Sequence, residues 1–430
     1  MEPSFSPSLS FARDRDARDP LRKFRDSFYF PPFGDAGAIY FCGNSLGLQP
    51  RNLAGMLEQE LADWRNLAVN GYTRAKNPWL FYQHLFNRPL SRIAGCTEQE
   101  VTVMNTLTVN LHLMLLSFYR PTTKRFKIIM EAGAFPSDQY ALETQAAFHG
   151  FDPGKAIIEV HPGVNEKTIR GEDVIAAIEQ HGDSLAMVLL GGINYYSGQF
   201  FDIQGITRAA QKAGAIAGFD LAHAIGNVPL QLHDWGVDFA VWCSYKYLNA
   251  GPGAVGGVYI HEKHAGQINQ PRMGGWWGND EKTRFLMEKG FIPKPDASGW
   301  NISTAQVFNM VGLKASLELF DQTNMEAIRS KSVALTGYLE YLLQQNDQNP
   351  FEIITPRDPA GRGAQLSLYF RENGRLVHQK MTESGIIVDY REPGVIRVAP
   401  APMYNSFEDV YRFYETIEGV ASREPGAGSR

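Results

Sequence analysis

The stretch Phe239-Ala-Val-Trp-Cys-Ser-Tyr-Lys246-Tyr-Leu-Asn-Ala-Gly-Pro-Gly253 decides how this chain is read. Its first five residues, Phe239 to Cys243, form an apolar, strand-like run. The run breaks abruptly into Ser244-Tyr245-Lys246, and a Gly/Pro-rich turn follows. A lysine just past a buried strand stands on a rigid element facing a crevice. That placement suits an amine that forms a Schiff base with a carbonyl cofactor. Upstream, Ala215-Ile-Ala-Gly-Phe-Asp220-Leu-Ala-His223 ends a second apolar run in an acid, with a histidine three residues on. Alone, such a lysine is an ordinary solvated charge and such an aspartate an ordinary cap or turn residue. Together they sit at the carboxyl ends of consecutive apolar runs, where open α/β sheets bind ligands. The pair reads as a pyridoxal 5'-phosphate (PLP) site, Lys246 for the aldehyde and Asp220 for the pyridine nitrogen.

The rest of the composition permits this. A chain of 430 residues, 44% hydrophobic and 20% charged, buries a sizeable core and is expected to divide into two domains. A net charge of -5 argues against a general nucleic-acid or anionic-membrane surface. Three cysteines (Cys42, Cys96, Cys243) without CxxC spacing disfavour a disulfide framework or structural zinc, and no ligand cluster is apparent in the sequence. The charged segment Phe11 to Pro20 is no signal peptide, and no apolar span is long enough to cross a bilayer. A cytoplasmic protein is expected.

Taken in order, residues 1 to about 35 read as an extended arm, Ala38 to Cys42 as a short strand, and Pro50 to Leu67 as an amphipathic helix. Tyr72 to Trp79 reads as a loop. Strands at Val101–Asn105, Lys127–Met130, Ala156–Val160 and Leu185–Leu190 alternate with helices, the pattern of a mostly parallel sheet. Two long helices run to about Gln345. A smaller α+β region follows, with a strand at Gln365–Phe370 and a hairpin of Ile386–Tyr390 with Val395–Val398 closed near Pro393-Gly394. Ser406 and Asp409 make a capping box for the last helix, and Glu424 to Arg430 is expected to be disordered.

Two motifs mislead. Gly43-Asn-Ser-Leu-Gly47 fits the G-x-S-x-G nucleophile elbow, but only about forty residues precede Ser45, too few for the strands and oxyanion loop of an α/β-hydrolase. Gly251-Pro-Gly-Ala-Val-Gly256 fits G-x-G-x-x-G, yet it leads into the strand-like Gly257-Val-Tyr-Ile-His261 rather than a helix. With no helix N-terminus to hold a pyrophosphate, NAD binding is not expected. Thr106-Leu107-Thr108, at a helix start, offers hydroxyls beside unpaired N–H groups. It is either a phosphate seat or a plain cap.

Assembled, these segments resemble kynureninase, a PLP family of the aspartate aminotransferase fold. The resemblance is carried by Gly43 to Pro50, Leu107 to His112, Phe135-Pro136-Ser137-Asp138 and Gly218 to His223. His233 to Asp238, Trp242 to Gly251 and Arg397 to Pro400 continue it, in family order, so that it runs from about residue 30 to 420. It implies fold type I: a large domain with a mostly parallel seven-stranded sheet and helices on both faces, and a smaller α+β C-terminal domain. The implied divisions are 1–75 for an arm and helix on the small domain, 76–300 for the PLP domain and 301–430 for the rest. Lys246, Tyr245 and Asp220 are the implied catalytic residues. Leu107, Thr108, Phe135, Pro136, Ser137, Asp138, His223, Trp276 and Thr304 join them around the cofactor, the last two across a homodimer interface. Arg397 would grip the substrate carboxylate, with Tyr72, Ser303, Ser45 and Asn44 also on the substrate side. The implied reaction is hydrolytic Cβ–Cγ cleavage of L-kynurenine, or 3-hydroxykynurenine, to anthranilate or 3-hydroxyanthranilate and L-alanine.

The chain departs from animal members at Tyr72, where they carry His, and at Thr304, where they carry Asn. Gly191 stands where they have Ser. The first two positions bear on recognition of the 3-hydroxyl. Rival readings are a cysteine desulfurase, which needs a mobile thiol, an aminotransferase, a serine hydrolase at Ser45, and a catalytically silent scaffold. The last finds no support while Lys246 and Asp220 are both present.

Overall fold

In this computed structural model, residues 5–34, 37–286, 288–346 and 349–421 are described. The expectation for Glu424 to Arg430 lies outside them. The short strand β1 (Ile39–Tyr40) opens the chain's extended structure. A seven-stranded sheet follows: β2 (Val101–Met104), β3 (Lys127–Glu131), β4 (Ile157–Val160), β5 (Leu185–Gly191), β6 (Ile216–Asp220), β7 (Phe239–Cys243) and β8 (Gly256–Ile260). Its spatial order is β2-β8-β7-β6-β5-β3-β4. The run β7-β6-β5-β3-β4 is parallel, and β8 lies antiparallel between β7 and β2.

Alternation along these strands supplies the packing. Ile129, Val188, Leu190 and Phe219 enter one hydrophobic core, shared with Val174, Ile178 and Ile206 of helices Gly171–His181 and Ile203–Lys212. Ile128, Met130, Met187 and Leu189 enter another, shared with Met114 and Leu142 of helices Leu107–Phe118 and Pro136–Phe148. Side chains of period two therefore bury both sheet faces under helices, as βαβ crossovers require. The antiparallel β8 is why Gly251 to Gly256 starts no helix.

After helices Val307–Phe320 and Met325–Leu343 the chain builds a four-stranded antiparallel sheet. It consists of β9 (Phe351–Ile353), β10 (Leu366–Phe370), β12 (Asp389–Arg391) and β13 (Val395–Val398), while β11 (Ile386–Ile387) pairs in parallel with β1. The sequence-predicted strand Ile386–Tyr390 is thus two strands with different partners. A third core of Phe41, Leu339, Leu368, Ile396 and Phe413 holds this region. The Ser406–Asp409 box is formed in both directions, Asp409 N–H donating to Ser406 Oγ at 3.0 Å and Ser406 N–H to Asp409 Oδ2 at 3.0 Å.

Two further expectations fail. The first thirty-odd residues are not simply extended: Leu9–Ala17 is a helix capped by Ser8. It packs on helix Phe407–Ala421, and the Asp16 carboxylate accepts from the Phe407 and Glu408 N–H groups at 2.7 and 2.9 Å. An anion at a helix N-terminus satisfies orphan donors. The helix is charged all round, so only this tertiary docking reveals it. Likewise Tyr72 to Trp79 is not all loop, since Gly71–Arg74 is a helical turn and Trp79–Phe86 a 3-10 helix. Among the described residues no helix is long and apolar enough to cross a membrane.

Candidate active site

The register of the large sheet gathers one chemical group per strand end. Glu131 ends β3, Gly191 ends β5 and pairs with Asp220 at the end of β6, and Lys246 stands three residues past β7. Leu107, three residues past β2, begins a helix. A cavity is lined by Lys246, Tyr245, Asp220, His223, Glu131 and Asp138, with Leu107, Thr108, Phe135 and Ser137 on its wall. Pro136 takes the first turn of its helix and is not on that wall.

Lys246 Nζ lies 2.8 Å from His223 Nε2 and 5.8 Å from the centroid of the Phe135 ring. Burial, reinforced by the charges of Lys246 and Arg397, pushes His223 well below its usual pKa. A neutral imidazole accepts from the ammonium through Nε2, which leaves its proton on Nδ1. Burial, with the neighbouring Asp220 and Glu131, pushes the Asp138 carboxyl well up. Burial also raises Asp220, opposed by Lys246 and by the Ala222 N–H, which donates to Asp220 Oδ1 at 2.7 Å. Glu131, buried beneath the cavity, accepts from the Gly191 N–H at 3.1 Å, and burial lifts it to about 7.

PLP fits this donor set. Three buried carboxyl groups face one lysine, a pocket that favours a cationic heteroaromatic ring. Asp138 Oδ1 and His223 Nδ1 are buried without partners among the described residues. Helix Leu107–Phe118 has no side-chain cap, so its first N–H groups are free for a phosphate.

The sequence missed Glu131, although an acid ending an apolar run is the same signal that marked Asp220. Its raised pKa carries a prediction. A carboxyl raised by folding contributes stability that is full below about 4.5 and lost as pH rises through about 7. In the cofactor-free protein, Glu131→Gln is therefore expected to gain stability relative to wild type between pH 5 and 8, by on the order of 3 kcal/mol, read as a pH-dependent rise in Tm. A Tm difference independent of pH would contradict it.

Arg397 is brought to the cavity's edge, but it is engaged. Its Nη1 donates to the Tyr195 carbonyl at 2.8 Å, and Tyr195 also lines the cavity. Its Nη2 donates to Asp389 Oδ2 at 2.6 Å and to Ser45 Oγ at 3.0 Å. Burial alone would raise Asp389, yet the Arg397 charge and hydrogen bond, helped by Ser45, hold it below the usual carboxylate range. Asp389 is the second residue the sequence missed; hairpin register sets it opposite Arg397. Ser45 donates to Asp389 and accepts from Arg397, and among the described residues no histidine bonds it as the base of a hydrolase elbow. Gly43 to Gly47 serves the lysine instead: Gly47 N–H donates to the Tyr245 carbonyl at 2.7 Å, and a Cβ there would lie 2.5 Å from the Lys246 carbonyl. Asn44, wholly buried, donates to Gln365 at 2.8 Å.

Four more predicted residues lie away from the cavity in a single chain. Trp276 is 46% exposed against Trp277 and Phe285. Tyr72, also exposed, meets Trp79 edge-on, and Ser303 and Thr304 line a separate groove with Gln83 and Trp277. A larger cavity of about 750 Å³ lies between helix Leu9–Ala17 and the C-terminal region. Several of its ions are paired with one another, Lys331 with Asp19 at 2.6 Å and Arg25 with Asp409 at 2.6 Å, and it contains none of the residues the sequence singled out for the cofactor. Burial pushes Cys42 up to about 11 and Cys96 well up, leaving neither as a ready thiolate.

A family model, the kynureninase C-terminal domain, matches residues 328–417. A kynureninase from Myxococcus xanthus is 54% identical over 97% of this chain and 98% of its own length. Kynureninases from Koribacter versatilis and Nematostella vectensis are 49% and 48% identical, each over 96% of this chain and over 97% and 94% of their own. Among solved structures, the apo cysteine desulfurase of Thermococcus onnurineus superposes with a TM-score of 0.74 at 17% identity, covering 89% of this chain and 94% of that one. The cystine C-S lyase C-DES, in complex with cysteine persulfide, gives 0.73 at 18% identity, over 90% and 98%. Those structures share the fold; the sequence relatives, alike over nearly the whole length, go further, and the chain belongs to the kynureninase family.

Proposed function

We propose that this chain hydrolyses L-kynurenine to anthranilate and L-alanine with PLP held at Lys246. The observation that carries this is the convergence of Lys246, Asp220, His223 and Asp138 at one edge of the sheet in a kynureninase-family chain. Bound there, the cofactor supplies an electron sink for charge developing at the substrate's Cα and Cβ. Lys246 would hold the cofactor aldehyde, and its amine is placed to carry the Cα proton. His223 keeps that amine hydrogen-bonded without adding a second charge. Asp220 would pair with the ring nitrogen, and Phe135 would pack against the ring. The Leu107 and Thr108 N–H groups, the Thr108 and Ser137 hydroxyls and Tyr245 bind the phosphate. Burial keeps the Tyr245 phenol protonated, so it can deliver a proton to the departing Cβ. The net change adds one water across Cβ–Cγ, the acyl carbon taking OH and Cβ the hydrogen. Purified protein should show a visible cofactor band and release anthranilate and alanine in equal amounts. A requirement for an oxo-acid acceptor would overturn the assignment in favour of an aminotransferase.

The working unit we assign is a homodimer, because Trp276 and Thr304 do not reach Lys246 within one chain. Mixing Lys246→Ala with Trp276→Ala subunits is expected to restore activity through hybrid sites, up to about one quarter of wild type. No recovery above the separate variants would place Trp276 in its own subunit's site. Tyr72→His with Thr304→Asn is expected to raise the kcat/KM ratio of 3-hydroxykynurenine to kynurenine by about tenfold. An unchanged ratio would remove both positions from recognition of the ring. Three free cysteines support a reducing, cytoplasmic setting.

A further inference from the structure

A second polar cluster lies at the opposite edge of the large sheet. Glu100 immediately precedes β2, His233 lies in the loop before β7, and His261 follows β8. β2 and β7 begin at this edge and β8 ends there, so the cluster is one strand, roughly 13–17 Å, from the Lys246 edge. Nothing in the catalytic reading uses it. No local pattern points to it, since Glu100 and His233 are 133 residues apart.

Glu100 is fully buried, with Oε1 3.0 Å from His233 Nδ1 and 3.4 Å from His261 Nδ1. The two imidazole centroids are 5.1 Å apart. A tetrahedral zinc ion with ligands at about 2.0–2.1 Å sets its donor atoms about 3.3–3.4 Å apart. The same geometry sets two imidazole centroids about 5.2 Å apart. We propose that Glu100, His233 and His261 form a binding site for a divalent transition ion of the zinc type, with water as the fourth ligand.

The surroundings match what such a site needs. The Thr97 N–H and hydroxyl donate to Glu100 Oε2 at 2.9 and 3.1 Å, and the Glu262 N–H donates to Oε1 at 2.8 Å. Ligating carboxylates are held by outer hydrogen bonds of this kind. The nearby Lys263 ammonium is occupied by Asp238 at 2.7 Å and the Gly236 carbonyl at 2.8 Å, and His264 is held by the same Asp238. The His233 side chain is 34% exposed, which leaves an entry path and room for water. Two contacts give way to the ion: the hydrogen bond of His233 Nδ1 to Glu100, 3.0 Å from both carboxylate oxygens, whose proton the metal replaces, and the Lys263 N–H donation to His261 Nδ1 at 3.2 Å, the long end of the range. Ligation would use the His261 lone pair and leave the N–H of the exposed Lys263 to water. Two imidazoles with one carboxylate select zinc, cobalt or nickel over magnesium or calcium. The three ligands come from separate segments, so the ion ties together the edge formed by β2, β8 and the loop before β7.

The test uses the full-length, PLP-loaded protein, stripped with a chelator and titrated with Co²⁺ and then Zn²⁺. The expected result is one Co²⁺ per chain with intense tetrahedral visible bands, displaced by Zn²⁺, and a raised Tm. His233→Gln and His261→Gln should each weaken binding at least about tenfold. The double variant should abolish it with basal turnover unchanged. In wild type, Zn²⁺ should protect His233 and His261, but not the exposed His161, from diethyl pyrocarbonate. Undiminished Co²⁺ uptake in the double variant, no uptake at micromolar metal, or equal modification of all three histidines would each overturn the site.

Discussion

Lys246→Ala is expected to lower kcat by at least roughly 10⁴-fold and to abolish the visible cofactor band. The size of the effect follows from the two tasks proposed for one amine, holding the cofactor aldehyde and moving the Cα proton. The fold should survive, because Lys246 is only half-buried and its Nζ bonds a side chain, His223, rather than the core. Far-UV dichroism should therefore match wild type. A second readout is independent of activity. Burial and then the Lys246 charge depress His223, so removing the lysine should bring its pKa back toward the ordinary range. The resonance of that histidine, followed by NMR against pH, would report it. Turnover above about one per cent of wild type would show that another base serves Cα.

The second large effect lies at Arg397. Arg397→Ala is expected to reduce kcat/KM for kynurenine by about 2–4 kcal/mol, roughly 30- to 1,000-fold, mostly through KM. The alternative is that Arg397 only pairs with Asp389, and the two variants separate these readings. If Arg397 anchors the substrate carboxylate, Asp389 competes for the same guanidinium, and Asp389→Asn should lower KM. If the pair is only structural, Asp389→Asn and Arg397→Ala should damage the enzyme alike. The pair also has a pH signature. A carboxylate whose folded pKa is depressed contributes stability that is present above its unfolded value and lost as pH falls through the folded one. The Tm advantage of wild type over Asp389→Asn should therefore shrink below about pH 4. An advantage that persists into acid would mean that Asp389 acts through packing.

Much of this was legible along the chain. Apolar runs of five residues broken by Lys246, Asp220 or a glycine turn located most strands to within a residue or two, because alternation and breaking are local properties. They also placed Lys246 and Asp220 correctly at strand ends. Tertiary structure decided what lies between distant segments. It set Asp389 across a hairpin from Arg397 and brought Ser45, 352 residues away, to the same guanidinium. It turned the charged segment Leu9–Ala17 into a helix by docking Asp16 on another helix's N-terminus, and it split Ile386–Tyr390 between two partners. It also carried Glu100, His233 and His261 to one point. Local pattern thus determined which residues could carry the chemistry. Which groups neutralise, orient or compete with one another was decided by sheet register and packing, since electrostatic interactions act over a few ångströms of space whatever the separation in sequence.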